Sequence, residues 1–163
     1  MAAKRGLELL LVRHGKAEDD HPMGDAARAL TAEGRQEFRE HAQKVAGHVT
    51  LEGILTSPAV RAVQTAEILA EAFGLDVVRV RGALSIDRAS TRSIESLCRE
   101  VGPGWALVGH NPSLAEVLAH LIGYDNVPQF KKGAVVALKP GSSLPWALSW
   151  VAAPGRKMKS SVE

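Results

Sequence analysis

Short apolar runs alternate with amphipathic helical patterns along this 163-residue chain, and that alternation constrains its fold more than any other feature. The runs are Leu7–Val12, Gly53–Thr56, Asp76–Val80, Trp105–Val108, Ala134–Leu138 and Ala147–Val151. They are continuous rather than alternating, as strands buried on both faces should be. Between them lie helical faces. Phe38, Ala42, Val45 and Val49 mark one, with Thr31 as its N-cap. Ala59, Ala62, Val63, Ala66, Leu69, Ala70 and Phe73 mark a second, opened by Ser57 and Pro58 and closed by Gly74. Ile94, Leu97, Cys98 and Val101 mark a third. Leu114, Val117, Leu118, Leu121 and Ile122 mark a fourth, where Ser113 and Glu116 have capping-box spacing. The pattern predicts a single compact α/β domain over residues 1–163: three layers, α/β/α, around a mostly parallel sheet. Its core is expected at about 7–152, with 153–163 as a flexible tail.

The same pattern excludes several classes. No run approaches the ~18 apolar residues of a membrane span, and the N-terminal stretch lacks a signal-peptide cleavage pattern. Cys98 is the only cysteine, so no intrachain disulfide is possible and a reducing, cytoplasmic setting is expected. The formal net charge of +2, part of it from Arg156, Lys157 and Lys159, is too small and dispersed to argue nucleic acid. Nucleotide-cradling glycine loops and the G-x-S-x-G elbow are absent. Cys98 lies on an apolar helix face, and position 104 is glycine where a cysteine phosphatase needs an arginine, so Cys98 reads as core. His21, His41, His48 and His120 show no metal-ligand spacing and read as surface or helix residues.

In open α/β sheets, sites form beyond the carboxyl ends of the strands. After the first run stand Arg13, His14 and Gly15; after the second, Ser57, Pro58 and then Arg61; after the fourth, Gly109, His110, Asn111 and Pro112. Two arginines and two histidines thus converge on one sheet edge from three places in the chain. Each is a common residue alone; together they suit a doubly charged tetrahedral anion, phosphate.

The stretches "LVRHGKAE", "LTSPAVRAVQTAEIL" and "LVGHNPSL" resemble the signatures of the histidine phosphatase superfamily, which includes the phosphoglycerate mutases. The resemblance runs from about Leu9 to Ile122. The "RALTAEGR" segment, Arg28 to Arg35, and the compact length look most similar to bacterial phosphohistidine phosphatases of the SixA type. The resemblance implies a phosphoglycerate mutase-like fold without large cap insertions. It implies His14 as nucleophile, carrying the phosphoryl group, with Arg13, Arg61 and His110 clamping its oxygens. No metal or other cofactor is implied, because the cationic side chains supply the charge. Gly15 is expected to spare the incoming phosphate a Cβ, and Arg28 to reach the rim or remain a solvated loop residue.

One departure from the family pattern stands out. Where many relatives carry a glutamate acid in an L-x-E setting, this chain reads Ala83-Leu84-Ser85-Ile86-Asp87. Asp87, one residue displaced, is the candidate acid; the alternative is a loop-capping aspartate. The leading expectation is a metal-independent phosphatase acting on phosphohistidine displayed by a signalling protein, with no nucleic-acid or membrane partner. The alternatives are a small-molecule phosphomonoesterase and a non-catalytic phosphate-binding module. A mutase is disfavoured, since it needs a closed site.

Overall fold

A computed structural model of the chain describes residues 7–160. Seven strands form one sheet, with four α-helices packed on it in chain order. These are β1 (Leu9–Arg13), α1 (Ala32–Ala46), β2 (Gly53–Thr56), α2 (Val60–Phe73), β3 (Arg79–Val80) and α3 (Thr91–Val101). They continue as β4 (Trp105–Gly109), α4 (Ser113–Ile122), β5 (Val135–Lys139), β6 (Ala147–Ala152) and β7 (Lys159–Ser160).

Strand alternation divides the interior into two cores. Leu10 and Val12 of β1 face one side, where Phe38, Ala42 and Val45 of α1 and Ala62, Ala66 and Leu69 of α2 cover them. Leu9 and Leu11 face the other, beneath Ile94, Leu97 and Cys98 of α3 and Leu114, Val117 and Leu118 of α4. All four β1 residues from Leu9 to Val12 are fully buried, so the strand that ends in Arg13 is anchored from both faces. Three layers form as the sequence predicts.

The sheet itself differs from expectation. In the order β3-β2-β4-β1-β5-β6-β7, the pairs on the β3 side of β1 are parallel and those on the other side antiparallel. For the β5–β6 pair the reason is the connector between them. It reads Pro140-Gly141-Ser142-Ser143-Leu144-Pro145-Trp146, too short for the crossover a parallel pair requires.

Boundaries shift as well. The third strand is only Arg79–Val80, with Val77 and Val80 exposed at the sheet edge. α2 begins at Val60 with Ala59 as N-cap, not at Pro58. Ser113 and Glu116 form no capping box, because Pro112 holds the N-cap position; the box occurs instead at Ser90 and Ser93 of α3. Thr31 does cap α1, accepting from Gly34 N. Part of the expected tail is strand: β7 pairs Lys159 with Val151 and Ser160 with Trp150. Among the described residues no helix is long and apolar enough to cross a membrane.

Candidate active site

β1 and β4 are parallel neighbours, with Arg13 in register with Gly109, so His14 and His110 leave the sheet side by side. Their ring centroids are 5.2 Å apart. β2 flanks β4 on its other side and delivers Ser57 and then α2, which carries Arg61. The structure therefore brings together four residues from three strand ends.

His14 is 6% exposed, and its Nδ1 lies 2.7 Å from the carbonyl oxygen of Gly15. A carbonyl only accepts, so Nδ1 carries the proton and Nε2 keeps a free lone pair. Burial pushes the His14 pKa down to about 3, despite the Gly15 bond, and the positive neighbours push the same way. The imidazole is thus neutral at physiological pH, the form a nucleophile needs. His110 is likewise held at about 4, first by burial and then by Arg61. Its Nε2 is 2.7 Å from Ser57 Oγ. Ser57 Oγ accepts from Ala59 N and keeps a second lone pair and its own proton, so the contact forms with either His110 tautomer; when the serine donates, the imidazole proton sits on Nδ1.

Each arginine is held on one edge. Arg13 Nη1 donates to the Phe130 carbonyl at 3.0 Å, a carbonyl that also accepts from Asn111 Nδ2. Arg61 is 3% exposed and donates to Asp25 twice, to its carbonyl at 2.8 Å and its carboxylate at 3.0 Å. The opposite edges differ. Among the described residues, Arg13 Nε, Arg61 Nε and His110 Nδ1 are buried and make no hydrogen bond. Buried donors normally find partners, and the two guanidinium nitrogens, with His110 Nδ1 when it carries the proton, suit the oxygens of a phosphoryl group beside His14.

Arg28 is tied to this cluster indirectly. It donates to Asp25 Oδ1 at 2.7 Å and to the Glu18 carbonyl at 2.6 Å, so Asp25 bridges Arg28 and Arg61. Those two arginines, Arg28 first, hold the Asp25 carboxyl below its usual range. With both histidines neutral, Arg13, Arg28 and Arg61 against Asp25 leave two positive charges, the complement of a phosphoryl dianion.

Two expectations change. A Cβ on Gly15 would point at Leu30, Gly34 and Phe38 rather than into the pocket. Gly15 enters the site through its main chain instead: its carbonyl fixes His14, and its N–H donates to Thr65 Oγ1 at 3.1 Å. Asp87 is exposed on a turn, with no hydrogen bond or ion pair to Arg13, His14, Arg61 or His110 among the described residues. Cys98 is fully buried, and its thiol is pushed up to about 12 by that burial, as a core residue should be. His41 is buried on α1, its Nε2 3.1 Å from the Ala152 carbonyl.

Sequence reasoning missed Thr65, Asp25 and the pairing of Ser57 with His110. Thr65 is fully buried and also donates to the Arg61 carbonyl at 2.7 Å, so one hydroxyl ties the nucleophile's loop to the arginine's helix. Its signal was a lone hydroxyl between Ala62 and Ala66 on an apolar face. Asp25 had no such signal.

The comparisons with known proteins agree with this geometry. The family model for the histidine phosphatase superfamily, branch 1, matches residues 9–88. An uncharacterized protein of Picosynechococcus sp. is 34% identical over 145 residues, covering 84% of this chain and 87% of that protein. The solved structure of the protein histidine phosphatase SixA with tungstate superposes with a TM-score of 0.79 at 25% identity, over 91% of this chain and 97% of that one. A protein of Agrobacterium tumefaciens named for the phosphohistidine phosphatase SixA also gives 0.79, at 26% identity, over 93% and 100%. A mycobacterial glucosyl-3-phosphoglycerate phosphatase, at 18% identity and TM-score 0.67 over 87% and 96%, shares the fold.

Proposed function

The chain belongs to the histidine phosphatase superfamily, and from that premise we propose that it hydrolyses phosphohistidine on a protein through a phosphorylated His14. The observation that carries the reading is the set of unpaired donors, Arg13 Nε, Arg61 Nε and His110 Nδ1, around the free Nε2 of His14.

In the first step His14 Nε2 attacks phosphorus in line, and the bond from phosphorus to the substrate's nitrogen breaks. The three donors hold the non-bridging oxygens as charge spreads over them. The substrate imidazole, already protonated on its other nitrogen, leaves neutral. In the second step water attacks the phosphoryl group, the bond to His14 Nε2 breaks, and the water's proton goes to the departing phosphate. His14 retains its Nδ1 proton throughout, held by Gly15 O.

Two observations favour phosphohistidine over an alkyl phosphate. An alkoxide leaving group needs an acid, and Asp87 is exposed on a turn with no hydrogen bond or ion pair to the cluster among the described residues. Beside Arg13 lies a broad groove of about 730 Å³, bordered by Asn111, Gln129 and Lys132, and a groove of that form admits the surface of a protein substrate next to the cluster.

The test is rapid quench with labelled substrate, followed by kcat/KM on phosphohistidine, aryl and alkyl phosphates. Wild type should accumulate an acid-labile, base-stable phosphoenzyme that His14→Ala does not form. Phosphohistidine and aryl phosphates should be cleaved far faster than sugar phosphates, and Asp87→Asn should not change that order. Preference for a sugar phosphate, lost in Asp87→Asn, would establish the small-molecule alternative.

A further inference from the structure

The basic residues of the C-terminal segment are not dispersed once the chain is folded. Arg156, Lys157 and Lys159 line a groove of about 570 Å³ beside Lys131, over a half-buried apolar floor of Leu148, Val151 and Ala153. Pro128, Gln129 and Lys131 belong both to this groove and to the one beside Arg13, where Lys132 continues the positive lining. The two grooves are one surface, folded over the 127–132 loop. That loop reaches the site directly, since the Phe130 carbonyl holds Arg13 and Asn111.

Charge along this surface is predominantly positive. Among the described residues Glu37 is the only carboxylate lining either groove. Lys131, Lys132, Arg156, Lys157 and Lys159 form no ion pair among the described residues, whereas Arg81, Arg99 and Lys16 each have a carboxylate partner. Lysines on an edge strand can serve only to deter sheet-to-sheet pairing. That accounts for Lys159 on β7, but not for Lys131 and Lys132, which lie in the loop before β5.

We propose that the continuous groove from Arg13 past Lys131 to Lys157 and Lys159 is a docking track for an acidic face of the phosphorylated protein substrate. The inference rests on the reading that the substrate is a protein. Charge complementarity names the partner's sign, and the apolar floor names its form: an acidic amphipathic element, its apolar side on Leu148 and Val151 and its carboxylates on the rim. A nucleic acid fits less well, because no aromatic side chain lines the C-terminal groove for bases to stack on.

The test uses the triple variant Arg156→Glu/Lys157→Glu/Lys159→Glu and three substrates. These are an acidic phosphotransfer domain phosphorylated on histidine, a core histone phosphorylated on histidine with phosphoramidate, and p-nitrophenyl phosphate. Calorimetry with the same acidic domain, its phospho-acceptor histidine replaced by alanine, reads docking without turnover. The variant should lose at least tenfold in kcat/KM on the acidic domain, through KM, while p-nitrophenyl phosphate turnover is unchanged. Wild-type kcat/KM on that domain should fall comparably between about 20 and about 300 mM salt, as screening shortens the reach of the charges. Binding of the unphosphorylated domain should weaken in parallel.

Equal turnover and equal binding by wild type and variant would overturn the docking track while leaving a phosphohistidine phosphatase in place. If wild type cleaved the aryl ester but neither phosphoprotein, the function reading would fail, yet charge-dependent binding of the unphosphorylated domain would still uphold the track. Tighter binding to single-stranded nucleic acid than to the acidic domain, abolished in the triple variant, would overturn the assigned partner.

Discussion

Replacing Thr65 by valine removes one oxygen from the interior and tests how the nucleophile is positioned. The shapes nearly match, so no cavity opens, and the loss is confined to two hydrogen bonds. The Arg61 carbonyl is inside α2, so the serious consequence falls on the Gly15 N–H, left buried with no acceptor. An unsatisfied buried donor costs ~1–3 kcal/mol. For a chain of this size each kcal/mol moves Tm by about 2–4 °C, which predicts a drop of about 2–12 °C. The functional effect is separable. The Gly15 peptide whose N–H is freed is adjacent to the carbonyl that fixes His14 Nδ1, so His14 loses its aim while the phosphate donors stay in place. A displacement of about 1 Å can cost about 10²-fold in rate, so kcat should fall about 10–100-fold with KM little changed. Thermal melts followed by calorimetry, and steady-state kinetics on p-nitrophenyl phosphate, read the two effects. Thr65→Ser keeps the hydroxyl and should restore both. A valine variant with unaltered Tm and kcat would show that Gly15 finds another partner and would refute the positioning argument.

Arg61→Ala should lower kcat about 10²–10³-fold and weaken inhibition by inorganic phosphate, because in the proposed clamp the unpaired Arg61 Nε would bind substrate and transition state alike; unchanged values for both would return Arg61 to a structural role. Turnover should persist after exhaustive chelation, since the charge is met by guanidinium groups, and loss of activity restored by a divalent ion would contradict this. Stability should fall on mild acidification. In the folded chain His14 titrates at about 3 and His41 and His110 at about 4, each lowered first by burial, against ~6.5 when unfolded. The unfolded chain therefore takes up protons first. The stability these histidines lend is fully present above about pH 6.5 and is lost as pH falls toward about 4. Urea midpoints measured across that window test it, and a flat profile would mean the three rings are not held neutral by the fold.

What the sequence disclosed follows from the range of the interactions involved. The strand-end residues were legible because a strand's direction is local: an apolar run ending in Arg13 and His14 delivers them wherever the run ends. The β5–β6 pairing was legible in principle, since the short connector Pro140–Trp146 excludes a crossover, but continuous apolar strands do not announce their direction, and nothing local marks β5 as antiparallel to β1. The positioning residues were hidden for a different reason. Thr65 meets Gly15 across 50 residues and Asp25 meets Arg61 across 36, and neither pairing leaves a periodic trace. Ser57 was noticed for the wrong partner. Its position after β2 suggested a helix cap, and it does accept from Ala59 N, but the contact that bears on the site is with His110, 53 residues away. Gly15 shows the converse: a glycine at a catalytic loop invites a steric explanation, and here the empty direction faces α1.

The main-chain framing of the site has a consequence for how its tolerance to substitution will read. Arg13 and Asn111 are held by the Phe130 carbonyl, His14 N donates to Gly109 O, and Gly133 N donates to both the Arg13 and His14 carbonyls, at 3.0 and 2.9 Å. No side-chain replacement at position 130 or 109 deletes these groups, so a side-chain truncation scan will score Phe130 by packing alone, find nothing to remove at Gly109, and pass over the frame. Gly133 is where the frame becomes visible. Its φ of +78° disfavours any side chain, and an added Cβ would lie 2.8 Å from Pro154 Cγ. A single methyl group there would displace the turn that holds the nucleophile's strand, and position 133 should therefore score with the histidines although it contributes no chemistry of its own.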